Sequence, residues 1–216
     1  ILGDALPEKI VPYLRVQSMG SANVFEACRL HGVERIAYAS SAAVYLGNPT
    51  PFDEVDEDDP PMPANLYGAS KLWGEHVLEV YREKHGLDYV ALRPTSVFGL
   101  GRGQRGSWPS RLTPIPEVPH HMVLPERAAL GEPITMPKGD TPTDWMYGAD
   151  AAEAWYLALT VKDPAHRVFN VRSERRTVGD VTRFLRRILP DARIDEETDP
   201  MAAPLQLMSN KRLVED

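Results

Sequence analysis

Two short apolar runs separated by one long amphipathic segment limit the folds that are open to this chain. Residues 35–39 and 88–92 are buried-strand patterns, and over residues 65–85 apolar side chains recur at spacings of three and four, as on a helix that packs one face against a core. A strand, a helix and a second strand in this order form a parallel unit. We therefore expect an α/β fold with a doubly wound parallel sheet.

The helix of this unit carries a tyrosine and a lysine one turn apart. Tyr67 and Lys71 are four residues apart, so they share a helix face. A free tyrosine has a pKa of about 10, and a neighbouring cation lowers that pKa because it favours the phenolate. The pair is a candidate proton shuttle for an alcohol or a ketone. The same spacing also arises by chance on ordinary helix surfaces, so the pair alone does not establish a function.

Polar segments follow both predicted strands. Ser40 and Ser41 come directly after the first strand, and the second strand runs into Arg-Pro-Thr-Ser-Val-Phe-Gly at residues 93–99. In open parallel sheets, ligands bind outside the carboxyl ends of the strands. We therefore expect a ligand site where these two segments meet the helix.

The three segments together resemble the extended short-chain dehydrogenase/reductase family, in which a strand with SSxxVY, a helical YxxxK and a strand with RPxxVFG occur in this order. Its members include nucleotide-sugar epimerases and dehydratases. The resemblance implies a Rossmann-like fold, NAD or NADP as cofactor, and hydride transfer at a hydroxyl or keto carbon of a sugar or sugar-like substrate. It also implies a homodimer packed through the helices over residues 13–31 and 65–85.

The resemblance assigns roles to individual residues. Ser41 would bond the reacting oxygen, Tyr67 would move the proton, and Lys71 would lower the pKa of Tyr67 and bind the nicotinamide ribose. Ser40 is the alternative for this role, but counting back along the motif from Val44 and Tyr45 selects Ser41. The implied cofactor-binding residues are Ala39, Ser40, Tyr67, Lys71, Pro94 and Val97. The implied substrate-binding residues are Ser41, Ala42, Ser96, Arg102 and Thr143.

Three departures from the family pattern bear on the substrate. Ala42 and Ala43 stand where family dehydratases carry an acidic pair, which disfavours dehydration. Ser96 stands in place of an asparagine, and Thr143 in place of an arginine, of the nucleotide-sugar epimerases. Without that arginine a diphosphate lacks a bidentate donor. A free sugar, a sugar acid or another small ketone or alcohol is therefore a candidate, beside a nucleotide sugar bound by loop arginines such as Arg102.

The glycine-rich turn with which the family holds a dinucleotide pyrophosphate does not occur in the 216 residues. The glycines after residue 98 follow a strand but lead into prolines, so we expect a substrate-side loop there. The chain has no initial methionine and is expected to start mid-protein. An alternative function follows, a catalytically inactive dinucleotide-fold binding or regulatory protein, against which the retained Ser41, Tyr67 and Lys71 argue.

We predict two parts. Residues 1–98 and 148–172 form an incomplete Rossmann-type core, and residues 99–147 and 173–216 form a small substrate-binding lobe. The acidic run 53–59 with its following prolines predicts an exposed loop rather than a metal cluster. A set of arginines predicts a solvated helix face: Arg172, Arg175, Arg176, Arg183, Arg186 and Arg187. Further helices are expected over 124–130, 150–161, 177–189 and 209–216, and further strands over 134–136, 145–147 and 168–171.

Charge and cysteine content exclude several functions. The formal net charge of −7 and the pI of about 5.4 argue against a nucleic-acid partner. The single cysteine, Cys28, excludes an internal disulfide and a cysteine-rich zinc site, and no metal is expected. Since no apolar run approaches the length of a membrane span, we expect no membrane partner and a reducing cytoplasmic location.

Overall fold

The computed structural model describes residues 10–49, 54–99, 125, 127–136, 138–196 and 207–216. Its helices are α1 (Ile10–Leu14), α2 (Gly20–Leu30), α3 (Leu66–His85), α4 (Gly148–Thr160), α5 (Val178–Ile188) and α6 (Lys211–Glu215). Its strands are β1 (Arg35–Ala39), β2 (Glu54–Val55), β3 (Asp88–Pro94), β4 (Val97–Phe98), β5 (Ile134–Met136), β6 (Pro142–Tyr147), β7 (Val168–Val171), β8 (Glu174–Thr177), β9 (Ile194–Glu196) and β10 (Leu207–Met208).

A parallel sheet of order β1-β3-β7 lies at the centre. Ala39 at the end of β1 is in register with Leu92, and Pro94 at the end of β3 is in register with Val171. Parallel strands point the same way, so the segments that leave β1 and β3 emerge at one edge of the sheet. This is the edge at which the sequence predicts a ligand site.

Helices cover both faces of this sheet. Side chains alternate along a strand, so Tyr89 and Ala91 of β3 join a cluster with α2 and α3, whereas Val90 and Leu92 join a cluster with α4. A strand that is apolar at successive positions is what burial on two faces requires. The arrangement confirms the predicted α/β fold with a doubly wound parallel sheet.

The first predicted helix is interrupted. After α1, the segment Arg15–Met19 forms one wider π-helical turn, in which the N–H of Gly20 donates to the carbonyl of Arg15, and α2 follows directly. The last predicted helices begin and end close to the expected residues, and Thr177 caps α5 through a reciprocal pair of bonds with Asp180. The expected helix over 124–130 is present at residues 127–129.

A further apolar cluster lies beside the central sheet. Strands β4, β6 and β8 form a small sheet in which β6 and β8 are antiparallel, and β5 pairs with β9. The buried members of the cluster are Ala128, Ile134, Met136, Trp145, Val178, Leu185 and Ile194.

The prediction for the acidic run is wrong in part. Glu54 and Val55 form β2, which pairs with the distant strand β10. The Glu57 side chain is only 2% exposed, and its Oε1 accepts the N–H of Asn170 at 2.6 Å. Part of the run is therefore built into the fold, through the pairing of β2 with β10 and the bond from Asn170 of β7 to Glu57.

The prediction for the arginines is also wrong in part. Arg175 and Arg176 lie on β8, not on a helix, and the Nε of Arg175 donates to Asp144 Oδ1 at 2.8 Å. Arg172 precedes that strand, and its Nε donates to the carbonyl of Met208 at 2.7 Å. The other three, Arg183, Arg186 and Arg187, do lie on helix α5.

Each helix that the structure describes is too short or too polar to cross a bilayer.

Candidate active site

The segment after β1 turns at Ser41. A short 3₁₀ helix, Ala42–Tyr45, follows it, and the Ser41 Oγ accepts the N–H of Ala43 at 3.1 Å. All four residues of the 3₁₀ helix are buried, whereas Ser41 is half-buried. The hydroxyl of Ser41 is therefore held at the boundary between the core and the solvent.

The first turn of α3 lies directly against this segment. Asn65 caps the helix, since its Oδ1 accepts the N–H of Gly68 at 2.8 Å. A Cβ atom at Gly68 would overlap the carbonyl oxygen of Ala43 and lie 3.0 Å from the Cβ of Pro63. Only glycine permits this approach, which brings Tyr67 beside the segment that carries Ser41. The sequence does not predict this contact, although a glycine in the first turn of a helix is a signal of close packing.

Tyr67 and Lys71 share a face of α3, as the spacing predicts. The Lys71 Nζ lies 5.4 Å from the centre of the Tyr67 ring. Burial lowers the pKa of Lys71, because desolvation disfavours the charged form. The Lys71 side chain makes no hydrogen bond or ion pair with any residue that the structure describes. Its ammonium donors are thus available to a ligand.

The two neighbouring serines differ in their surroundings. Ser40 is 3% exposed, and its hydroxyl donates to Glu75 Oε1 in the interior. Ser41 is half-buried, and among the described residues its hydroxyl bonds only to the main-chain N–H of Ala43. The geometry leaves the Ser41 hydroxyl as the one of the two that a ligand at the sheet edge can reach.

A buried polar network lies under this site. Arg93 of β3 donates to both carboxylate oxygens of Glu75, at 3.0 and 2.6 Å, and also to the hydroxyl of Tyr45. Tyr45 in turn donates to Asn170 Oδ1 at 3.2 Å. With Ser40 the network connects α3 to β3, β7 and the segments after β1. The sequence marks Arg93 as part of the RPxxVFG motif, but it does not predict the pair with Glu75, because only the folded register brings the two together.

The remaining predicted site residues are spread more widely. Ala39 is exposed at the end of β1, and Pro94 is half-buried at the end of β3. Val97 lies on β4 in register with Met146. Ser96 is half-buried between these strands.

Two predicted substrate-binding residues are buried. Ala42 is 9% exposed, and Thr143 is 7% exposed on β6 opposite Arg176. Arg102 lies outside the described residues. Arg175 of β8 is engaged, since its side chain bonds both Asp144 and Glu54.

Comparison with known proteins identifies the family. The model of the NAD dependent epimerase/dehydratase family matches residues 5–171. The chain belongs to this family.

Relatives within the family act on different sugars. The chain is 34% identical over 161 residues to a UDP-glucose 4-epimerase of Azospirillum brasilense, covering 71% of this chain and 46% of that protein. It is 30% identical over 140 residues to a uronate dehydrogenase of Pseudomonas putida, covering 64% of this chain and 51% of that protein. The chain spans about half the length of these relatives.

The fold agrees with solved structures of the family. The UDP-glucose 4-epimerase of Thermus thermophilus, crystallised in complex with NAD, matches with a TM-score of 0.72 and 27% identity. The match covers 94% of this chain and 64% of that chain. It supports the Rossmann-like assignment made from the three sequence segments.

Proposed function

We propose that this chain carries the proton-transfer site of an NAD-dependent oxidoreductase or epimerase that acts on a hydroxyl or keto carbon of a sugar-like substrate. The observation that carries the proposal is the packing of the first turn of α3 on the segment after Ser41. This contact sets the helix turn of Tyr67 and Lys71 against the residues that follow Ser41, near the ends of β1 and β3, and so supports a shared site for the three side chains.

The chain's residues divide the chemistry among themselves. Tyr67 exchanges a proton with the substrate oxygen, and the Ser41 hydroxyl donates a hydrogen bond to that oxygen as negative charge develops on it. The ammonium of Lys71 lies 5.4 Å from the centre of the Tyr67 ring and supplies positive charge at the site. We assign the hydrogen bond to the substrate oxygen to Ser41, because the hydroxyl of Ser40 already donates to Glu75.

The donor set fits the nicotinamide end of NAD. Lys71 has donors that no described residue uses, and they suit the hydroxyl groups of a ribose. Ala39, Pro94 and Val97 complete the proposed cofactor-binding set together with Tyr67 and Lys71. Ser40 is left out of the set, because its buried hydroxyl donates to Glu75. Bound NAD supplies the hydride acceptor or donor. The family name and the NAD complex of the T. thermophilus relative favour NAD over NADP.

The substrate side favours a small sugar or sugar acid. Ala42 and Ala43 are buried, so no acidic pair is available there for elimination of water. Thr143 is buried, and Arg175 is paired with Asp144 and Glu54, so neither provides a free donor for a diphosphate. We propose Ser41, Ala42 and Ser96 as the described part of the substrate site, with Arg102 the residue that would decide for a nucleotide sugar.

The alternative of an inactive binding protein is not supported by the comparisons, since the curated relatives reported above are named as enzymes. Those names apply to the relatives and not to this chain. For this chain, the presence of Ser41, Tyr67 and Lys71 argues against an inactive protein.

A homodimer is part of the proposal. Helices α1 to α3 and the turn between the first two expose large apolar side chains that a second copy could cover. These are Val11, Leu14, Val16, Met19, Val24, Leu30, Trp73 and Val80. The cytoplasmic location stays a prediction.

The division into a core and a substrate lobe is likewise proposed. Buried apolar residues of the central sheet and of β5, β9 and α5 form separate clusters, and β6 contributes Met146 to the first and Trp145 to the second. We assign residues 1–98 and 148–172 to the core and the rest to the lobe.

The experiment is a substrate panel with the full-length protein and NAD. Hexuronic acids, free hexoses and UDP-hexoses are each incubated with the protein, with NADH followed by absorbance and epimers followed by NMR. NADH formation with a hexuronic acid or hexose identifies a dehydrogenase, and a UDP-hexose epimer without net NADH identifies an epimerase. No product from any member of the panel contradicts the proposal.

A further inference from the structure

Tyr38 is a buried aromatic residue of β1 that the proposed chemistry does not use. It is 8% exposed and lies on the face of the sheet that packs against α2 and α3. Its ring meets that of Phe25 edge to face, with centres 5.6 Å apart. Tyr38 therefore occupies a defined position between the sheet and the two helices.

Helix α3 has a glycine where Tyr38 reaches it. A Cβ atom at Gly74 would overlap the hydroxyl and the ring edge of Tyr38. The absence of a side chain at this position lets the phenol lie across the helix backbone. The ring is thus held from both sides, by Phe25 and by the surface of α3.

The ammonium of Lys71 lies near the rings of two tyrosines. Its Nζ is 5.5 Å from the centre of the Tyr38 ring and 5.4 Å from that of Tyr67. A cation within about 6 Å of a ring centre is attracted to the ring face, more strongly when it is desolvated. Among the residues that the structure describes, no carboxylate pairs with Lys71, so these rings are its electrostatic partners.

We propose that Tyr38 is a positioning residue, whose ring face holds the ammonium of Lys71 beside Tyr67 without using any of its N–H donors. The inference rests on the proposed function, in which Lys71 acts on Tyr67 and on the nicotinamide ribose. A carboxylate partner would hold Lys71 more tightly but would accept the donors that those roles need.

The titratable groups around Lys71 are compatible with this role. Tyr67 and Glu75 face this region from α3, Tyr38 from β1, and Tyr13 from α1. The carboxylate of Glu75 is paired with Arg93. Burial is the main cause that raises the pKa of Tyr38, followed by the Glu75 charge, so the ring stays a neutral phenol while Lys71 titrates.

The test is a direct titration of Lys71 in the full-length protein. The protein is labelled with ¹³Cε-lysine, and the Lys71 signal is assigned by its loss in Lys71→Arg. We expect the titration midpoint to fall by about one half to one pH unit in Tyr38→Leu, the size expected for a desolvated cation–π contact. Tyr38→Phe keeps the ring and should keep the midpoint.

Phe25→Leu is the matched control, since it removes a ring from the same cluster but not the ring that faces Lys71. A midpoint that moves equally in Tyr38→Leu and Phe25→Leu overturns the proposal. The titration requires no substrate, so a protein that turns over no sugar refutes the proposed function and still returns a result for Tyr38.

A second pair of variants covers the case in which Tyr38→Leu does not fold. Phenylalanine and 3,5-difluorophenylalanine at position 38 have nearly the same shape, but the fluorinated ring has less electron density on its face. The proposal expects a lower Lys71 midpoint with the fluorinated ring. Equal midpoints for the two rings contradict it.

Discussion

Two buried carboxylates of this molecule are paired with arginine in different ways. Under helix α3, Glu75 and Arg93 are 2.6 Å apart, and their side chains are 5% and 6% exposed. Between β6 and β8, Asp144 and Arg175 are 2.8 Å apart, but Arg175 is 28% exposed while Asp144 is 1% exposed. Both members of the first pair are almost fully shielded from water, whereas one member of the second pair still contacts it.

The difference has consequences for stability. When both members of a pair are buried, removing one leaves a charge that water cannot reach, which costs several kcal/mol. When one member is partly exposed, water solvates the charge that remains. We infer that the buried pair fixes α3, which carries the proposed proton-transfer residues, to β3. The attachment of β6, β8 and β10 depends less on its ion pair.

The largest expected effect is that of Glu75→Ala. The variant leaves Arg93 buried without a carboxylate and removes the acceptor of Ser40. We expect the free energy of unfolding to fall by about 3–5 kcal/mol, measured by urea denaturation. Glu83→Ala, at an exposed position of the same helix, is the control and should change it by less than about 0.5 kcal/mol. A loss as small as that of the control would show that the network is not required.

Asp144→Asn should have a smaller effect. The asparagine keeps an acceptor for the N–H of Met208, which bonds Asp144 Oδ2 at 2.7 Å, but loses the charge that Arg175 meets. We expect a loss of about 1–3 kcal/mol in the same assay, with the exposed Asp140→Asn as its control. A loss larger than that of Glu75→Ala would reverse the comparison between the two regions.

The smallest expected effect is a difference in pH dependence within one short segment. Arg175 lowers the pKa of Glu54 below its ordinary value of 4.5, so the stability from Glu54 is present above that pH and is lost as the pH falls below it. Burial raises the pKa of Glu57 above 4.5. Glu57 therefore makes the fold more stable as the pH falls through its raised pKa, and this gain is lost as the pH rises.

Two variants separate these contributions in urea unfolding between pH 3.5 and 7. Glu54→Gln should flatten the loss of stability below pH 4.5, by less than about 1 kcal/mol since Glu54 is 44% exposed. Glu57→Gln should reduce the loss of stability that accompanies a rise in pH above 4.5. If both variants act in the same pH range, the opposite pKa directions are wrong.

The sequence predicted the parts of the fold that local pattern determines. The strands at 35–39, 134–136 and 168–171 and helix α3 are continuous or periodic apolar patterns, and the structure has them close to the expected residues. The two-residue strands β2, β4 and β10 have no such pattern, because pairing with distant segments creates them. Arg175 and Arg176 were assigned to a helix because a short charged strand and a charged helix face have similar composition.

The candidate site divides in the same way. Tyr67 and Lys71 were recognised because their relation is one turn of a helix. Gly68 and Glu75, on the same helix, were not recognised, since their roles depend on where α3 meets the segment after β1 and the strand β3. The same holds for Tyr38, whose position against Lys71 and Gly74 depends on how α3 packs on β1.

The most direct test of the central claim is the turnover of Tyr67→Phe in the full-length protein, with NAD and a substrate that the panel identifies. Loss of the phenol removes the proton shuttle, so we expect turnover to fall by a factor of about 10²–10⁴ while the protein stays folded. Tyr156→Phe, at a residue of α4 that is 66% exposed, is the matched control and should keep full activity. Full turnover in Tyr67→Phe would contradict the account.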